Sequence, residues 1–248
     1  MTMRKTLILL TFLTALIIFS LTLTLTFAQA QEQQIRPALL EQPMPDFNLP
    51  SYQGPEVRLS NLKGKNVMIV FPRGYAGPDR WCTICNYKYL ELVELEKSQK
   101  LREKYNLEIL VVLPYPRETV KLWLESLPEQ MAKIKNWKYP ENPEQLDEKG
   151  KQSVERYRRL FPKDFSVSKD NIPTPFPVLI DADHQVSSGL GLFSTNWSGS
   201  QVEQNIPSVY IIDDQGVLRF KYLGQNTLDR PSYEYLIKIL EMIKQKKL

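Results

Sequence analysis

The chain of 248 residues carries a formal net charge of +4, with 42% hydrophobic and 10% aromatic residues. That apolar fraction is enough for a buried core and excludes an intrinsically disordered chain. With no dense Lys/Arg block, the mild charge also excludes nucleic-acid binding, because phosphate neutralisation needs a concentrated basic surface.

Taken in chain order, the first element is a leader. Arg4 and Lys5 precede an uncharged run, Leu7–Phe27, which ends at Ala28-Gln29-Ala30. A basic start, an apolar run and a small-residue cleavage site predict a signal peptide over residues 1–30. The run is also long enough to stay as an uncleaved anchor, a membrane tether through residues 7–27. In both cases the basic residues stay inside, so the rest of the chain is expected to be extracytoplasmic, periplasmic or secreted. No cysteine follows the run, so no lipid anchor is expected there. Residues 31–42 are polar and predict a linker. Residues 43–248 are expected to form one domain.

PMPDFNLPSYQGPEVRLSNLKGK (43–65) mixes turn residues with short apolar pieces and predicts a small strand pair. NVMIVF (66–71) and LEILVVL (107–113) are uninterrupted apolar runs, the pattern of strands buried on both faces. Between them Leu90, Val93, Lys97, Leu101 and Tyr105 fall on helical spacing. Strand, helix, strand implies a parallel crossover and an α/β sheet. Residues 115–172 are too poor in apolar residues for a core of their own and predict a helical insertion or lid. Within it ETVKLWLESL and SVERYRRLF read as helices, and KNWKYPENPEQLDEKGK reads as a loop. The sheet resumes at FPVLIDADHQV (176–186) and at PSVYIIDDQGVLRFKYLG (207–224), which predicts a hairpin about Asp213–Gly216. A last helix follows, with Asp229 as its expected cap and Leu236, Ile239, Leu240 and Ile243 as its buried stripe.

The chain has two cysteines, Cys82 and Cys85, in GPDRWCTICNYKYLEL (77–92). Zinc needs about four ligands. The chain offers these two thiols and one histidine, His184, in a distant turn with Asp181 and Asp183 that reads as solvated, so no metal is expected. Covalent haem needs a histidine after the second cysteine, and Asn86 stands there. A purely structural disulfide over so small a loop removes little unfolded-state entropy. A redox pair has a physical reason for the spacing. Cys82 at a helix start meets unpaired N–H groups and the positive dipole end, and Arg80 adds a cation, all favouring the reactive thiolate. Cys85 lies one turn later on the same face and can resolve a mixed disulfide on Cys82. Trp81 offers a flat contact surface or packs on the sheet edge, and Ile206-Pro207 leads into a strand.

PDFNLPSYQGPEVRLSNLKGKNVMIVF, WCTIC, PFPVLIDADHQV and IPSVYIIDDQGVLRFKYLGQN, in that order, resemble the thioredoxin-like redoxins. The similarity is to the alkyl hydroperoxide reductase/thiol-specific antioxidant (peroxiredoxin-like) family, with the CxxC feature of its TlpA/ResA-type relatives. It covers about residues 43–112 and 174–245. The resemblance implies a thioredoxin-like α/β fold, a mixed sheet flanked by helices, and a cis Ile206–Pro207 bond that helps Trp81 shape a partner surface. It also implies an oxidoreductase without bound cofactor, acting on protein thiols or disulfides or on hydroperoxides, with an external thiol donor. The peroxidase motif P-x-x-x-[T/S]-x-x-C is not matched: three residues before Cys82 stands Asp79, and three before Cys85 stands Cys82. The family's later arginine aligns with Pro207. Arg73 and Arg80 remain as cations that could bind peroxide. Disulfide exchange is therefore the leading expectation, with Cys82 as nucleophile and a reducing potential. Peroxidase activity, or a redox-inert binding module recruiting through the insertion, are the alternatives.

Overall fold

The computed structural model describes residues 37–248; the predicted leader and most of the linker lie outside the described residues. NVMIVF forms β1 (Asn66–Phe71) and LEILVVL forms β2 (Leu107–Leu113), followed by β3 (Val178–Ile180), β4 (Ser208–Ile212) and β5 (Leu218–Leu223). The sheet runs β5-β4-β1-β2-β3. The β1–β2 and β2–β3 pairs are parallel, and β4 is antiparallel to both neighbours. The expected strand pair is present as Asn48–Leu49 against Val57–Arg58.

Helices and loops cover both faces of this sheet, which is why β1 and β2 read as unbroken apolar runs. Side chains alternate between two cores with the period of two that a strand dictates. Met68, Ile109, Val111 and Ile211 face one, against α1 (Thr83–Gln99) and the C-terminal helix. Val67, Ile69, Leu110 and Val112 face the other, against Phe47, Leu49 and Leu59 of the N-terminal segment. The helical spacing read across Leu90–Tyr105 holds only in part. Lys100 turns left-handed (φ 50°) and ends α1, and a separate turn, Leu101–Lys104, leads into β2. Among the described residues no helix is long and apolar enough to cross a membrane.

Between β2 and β3 stand α2 (Arg117–Glu125), α3 (Leu127–Lys138) and α4 (Glu148–Leu160). The sequence reading of this stretch needs two corrections. Helix α3 starts on the last residue of the expected helix ETVKLWLESL, runs through residues 128–134, which were not read as helical, and takes the first residues of the expected loop, KNWK. It forms because Leu127, Met131 and Ile134 make an apolar stripe that buries, while Pro128 sits in the first turn, where a missing N–H costs nothing. Helix α4 begins five residues earlier than SVERYRRLF, at Glu148, because Asp147 caps it by accepting from Gly150 N–H at 2.7 Å.

The C-terminal helix α5 (Tyr233–Lys244) buries Leu236, Ile239, Leu240 and Ile243 as expected. Its cap is Ser232, whose Oγ accepts from Tyr235 N–H, and not Asp229. Asp229 instead accepts from Tyr222 and from Gln225 N–H, tying down the loop before the helix.

The DADH turn is solvated at Ala182 and Asp183, as expected from its acidity, but not at Asp181. Asp181 is fully buried and accepts from Val186 N–H at 3.1 Å and Ser187 N–H at 2.7 Å. Burial raises its pKa, opposed by those hydrogen bonds. His184 stacks on Phe193 with centroids 4.0 Å apart. Substituting Asp181→Asn is expected to cost about 1–2 kcal/mol, because an amide keeps one acceptor and loses the charge-assisted pair. Urea unfolding checks this; an unchanged midpoint would refute the carboxylate's role.

Candidate active site

The loop after β1 turns back through a short hairpin, Tyr75–Gly77 against Arg80–Trp81, and delivers Cys82 to the start of α1. Cys82 N–H donates to Gly74 O at 2.8 Å, and Cys82 O receives Cys85 N–H at 2.9 Å and Asn86 N–H at 3.2 Å. This first helical turn fixes both thiols on one side, as the three-residue spacing requires. The cysteines are free, each 4% exposed, and their sulfurs are 2.8 Å apart.

The cation of the site is Arg230, supplied by the loop before α5. Its Nη2 lies 3.3 Å from Cys85 Sγ and 3.6 Å from Cys82 Sγ. Cys85 Sγ also accepts from Arg73 N–H at 3.3 Å. Burial alone would raise the Cys85 thiol. The hydrogen bond from Cys82, the Arg230 charge and hydrogen bond, and the Arg73 N–H together bring it down to about 5. Cys82 is pushed the other way, first by the proton it shares with Cys85 and then by burial. The pair therefore loses one proton easily and keeps the second. Such a titration belongs to the two sulfurs jointly.

Two expectations are corrected here. Arg80, assigned to lower the Cys82 pKa, is exposed on the hairpin and contacts neither sulfur, because its guanidinium folds back over Gly77. The resting thiolate sits on Cys85 and not on Cys82, because the donors converge there. One signal in the sequence could have exposed Arg230: a cation just before a helix N-terminus opposes the helix dipole and calls for another partner.

The thiols open to different sides. Cys82 lines a pocket of about 510 Å³ that also holds Trp81, Ile84, Trp137 and Tyr157. Cys85 lines a narrow cleft of about 40 Å³ with Arg230, Pro207 and Tyr233. Trp81 stacks on Tyr75 of the neighbouring hairpin strand at 4.0 Å and 10°, rather than on the edge of the main sheet, and it also lines the Cys82 pocket. Pro207 is buried and Ile206 half-buried, so they do not shape a surface shared with Trp81. The expected cis bond is absent, and Ile206–Pro207 is trans. Trans is the favoured state of such bonds, and here strand pairing fixes the loop, with Gly224 N–H donating to Pro207 O at 2.8 Å and Ile206 N–H to Leu192 O at 2.6 Å. Arg73, considered as a peroxide-binding cation, commits its guanidinium to Gln204 (2.7 Å) and Ser200.

No group of three or more His, Cys, Asp or Glu among the described residues could hold a metal ion.

The sequence pattern of the AhpC/TSA family matches residues 40–221. No curated protein sequence matches the chain. Among solved structures, a cysteine-to-serine mutant of the peroxiredoxin 6 of Arenicola marina superposes with a TM-score of 0.52 at 12% identity. The match covers 83% of this chain and 73% of that one. At such low identity the likeness shows the fold alone, and that fold is the thioredoxin-like α/β fold expected.

Proposed function

The chain belongs to the AhpC/TSA family, and from that premise we propose that it is a thiol–disulfide oxidoreductase whose working pair is Cys82 and Cys85. Membership makes it an oxidoreductase of the redoxin type. The finer reading rests on one observation: two free thiols 2.8 Å apart beneath one guanidinium.

Cys82 is the sulfur facing the larger pocket, so it is the one an incoming disulfide reaches. As the partner approaches, the proton on Cys82 passes to Cys85 across the shared hydrogen bond. Cys82 then attacks the partner's disulfide, one partner sulfur leaves, and a mixed disulfide forms. Cys85 attacks the Cys82 sulfur, and the second partner sulfur leaves. Cys85 gives up that proton to the first released sulfur as it attacks. Two electrons move to the partner, the second released sulfur leaves as a thiolate that takes its proton from solvent, and the Cys82–Cys85 disulfide remains. An external thiol donor restores the pair. Arg230 touches both sulfurs and stabilises the reduced state, which raises the potential of the pair relative to the same pair without that cation.

Cys85→Ser is expected to accumulate a mixed disulfide at Cys82 when treated with a small disulfide. Cys82→Ser should trap at least tenfold less, because Cys85 lies behind the narrow cleft. Mass spectrometry of the trapped species is the test, and equal trapping in both would overturn these roles.

Family membership and the Arg230 cation favour a second reading, a peroxidase in which peroxide oxidises Cys82 to sulfenic acid and Cys85 closes the disulfide. Stopped-flow mixing with hydrogen peroxide separates the two. Oxidation at the rate of a free thiolate of similar pKa retains the exchange reading. Oxidation far faster than that replaces it with the peroxidase. The leader expected over residues 1–30 from its basic start and apolar run favours a site of action outside the cytoplasm.

A further inference from the structure

The pocket facing Cys82 is built largely by the helices between β2 and β3. Trp137 of α3 stacks on Tyr157 of α4 with centroids 4.9 Å apart, and Phe161 closes the same wall at 6.2 Å from Trp137. Trp81, Ile84 and Leu160 complete an apolar lining beside the reactive sulfur. A volume of about 510 Å³ is that of a small-molecule site.

The charge around this lining has one sign. Arg73, Arg80, Lys133 and Arg156 line the pocket, and no carboxylate does. Arg73 is buried and bonded to Gln204 and Ser200, and Lys133 is paired with Glu129 at 2.7 Å. Arg80 and Arg156 are exposed and form no ion pair among the described residues, Arg156 lying over the Tyr157 ring at 5.4 Å. An apolar body seated among the rings would thus place an anionic group against two unneutralised guanidiniums, the geometry that suits a carboxylate. A polypeptide fits less well. Each of its buried N–H and C=O groups needs a partner, and of the pocket's Thr83, Gln130 and Thr227 the first two already bond to each other at 2.6 Å, which leaves few partners for a backbone.

We propose that this pocket takes a small anionic amphiphilic disulfide, an apolar body bearing a carboxylate, as the substrate that Cys82 attacks. The substrate part rests on the exchange reading above; the binding part stands apart from it. The reaction balances as before. The amphiphile's S–S bond breaks, a Cys82–S bond forms, Cys85 closes the protein disulfide, and the pair's one proton ends on one released sulfur while the other leaves as a thiolate that takes its proton from solvent. The reverse direction passes through the same mixed disulfide.

Two measurements test it. The first titrates a Cys82→Ser/Cys85→Ser protein with dodecanoate and with dodecyltrimethylammonium, following tryptophan fluorescence from Trp81 and Trp137. The second mixes the reduced wild type, and an Arg80→Ala/Arg156→Ala variant, with 5,5′-dithiobis(2-nitrobenzoate) and with neutral 2,2′-dithiodipyridine. The expected result is saturable binding of the carboxylate and not of the ammonium. In addition, the double-alanine variant should lose about tenfold in rate with the anionic disulfide only. Equal binding of both amphiphiles, binding of neither, or equal loss of rate with both disulfides would overturn the proposal while leaving the exchange reading in place. Carboxylate-selective binding with no reaction of the wild type with either disulfide would defeat the exchange reading, and with it the substrate assignment.

Discussion

Replacing Arg230 with methionine is expected to raise the pH at which the cysteine pair first ionises by about 2 units. The sign follows from the contacts. Arg230 touches both sulfurs and favours the charged state of Cys85, which ionises at about 5. In the wild type, thiolate reactivity is present above that value and is lost as the pH falls through it. In the variant the loss moves to about pH 7, so alkylation at pH 6 should slow about tenfold and at pH 9 should hardly change. Stabilising the reduced form less also makes the disulfide harder to reduce, lowering the potential by about 60 mV. The ultraviolet absorbance of the thiolate against pH gives the first value, and equilibration with a glutathione buffer the second. Arg230→Lys should shift less, because a charge remains. An unmoved titration in folded Arg230→Met protein would remove Arg230 from the role assigned to it.

Gly74→Ala is the substitution expected to cost most in stability near the site, about 2–5 kcal/mol. Gly74 has φ +77°, where an alanine is strained by about 1–2 kcal/mol. Its added Cβ would meet Tyr115 Oη at 2.2 Å. That ring cannot swing away. Its hydroxyl accepts from Tyr75 N–H at 2.9 Å and donates to Glu203 O at 2.8 Å, and the ring is buried. Overpacking of this kind adds about 1–3 kcal/mol. Because Gly74 O receives Cys82 N–H, exchange should slow as well. Chemical denaturation measures the cost, and a loss below about 1 kcal/mol would mean that the Tyr115 anchor is softer than its hydrogen bonds imply.

The parts of the fold that could be read from the sequence were those set by local patterns. NVMIVF and LEILVVL sit on β1 and β2 residue for residue, because burial on both faces writes itself as continuous apolar sequence. The stripe of α5 was equally plain. Helix α3 was not, because its buried positions are interleaved with Lys133, Lys135 and Lys138, and Lys138 itself is buried by reaching Asp164 at 2.6 Å. The cysteine pair was legible from spacing alone, and so was the place of Trp81 beside it. The identity of the cation was not. Arg80 is close in sequence and touches neither sulfur, whereas Arg230 is 145 residues from Cys85 and in contact with it. Adjacency predicts proximity along a helix, but it says nothing of which distant loop the sheet brings back.

That separation has a consequence for how the protein matures. The loop that carries Arg230 is 145 residues from Cys85, so their contact closes a long stretch of chain and belongs to the folded protein. Until then the nascent chain carries two thiols of ordinary acidity, about 8.5, mostly protonated and slow to react. The acidity of the pair is therefore a property of the folded chain, supplied across the same distance that hid Arg230 in the sequence.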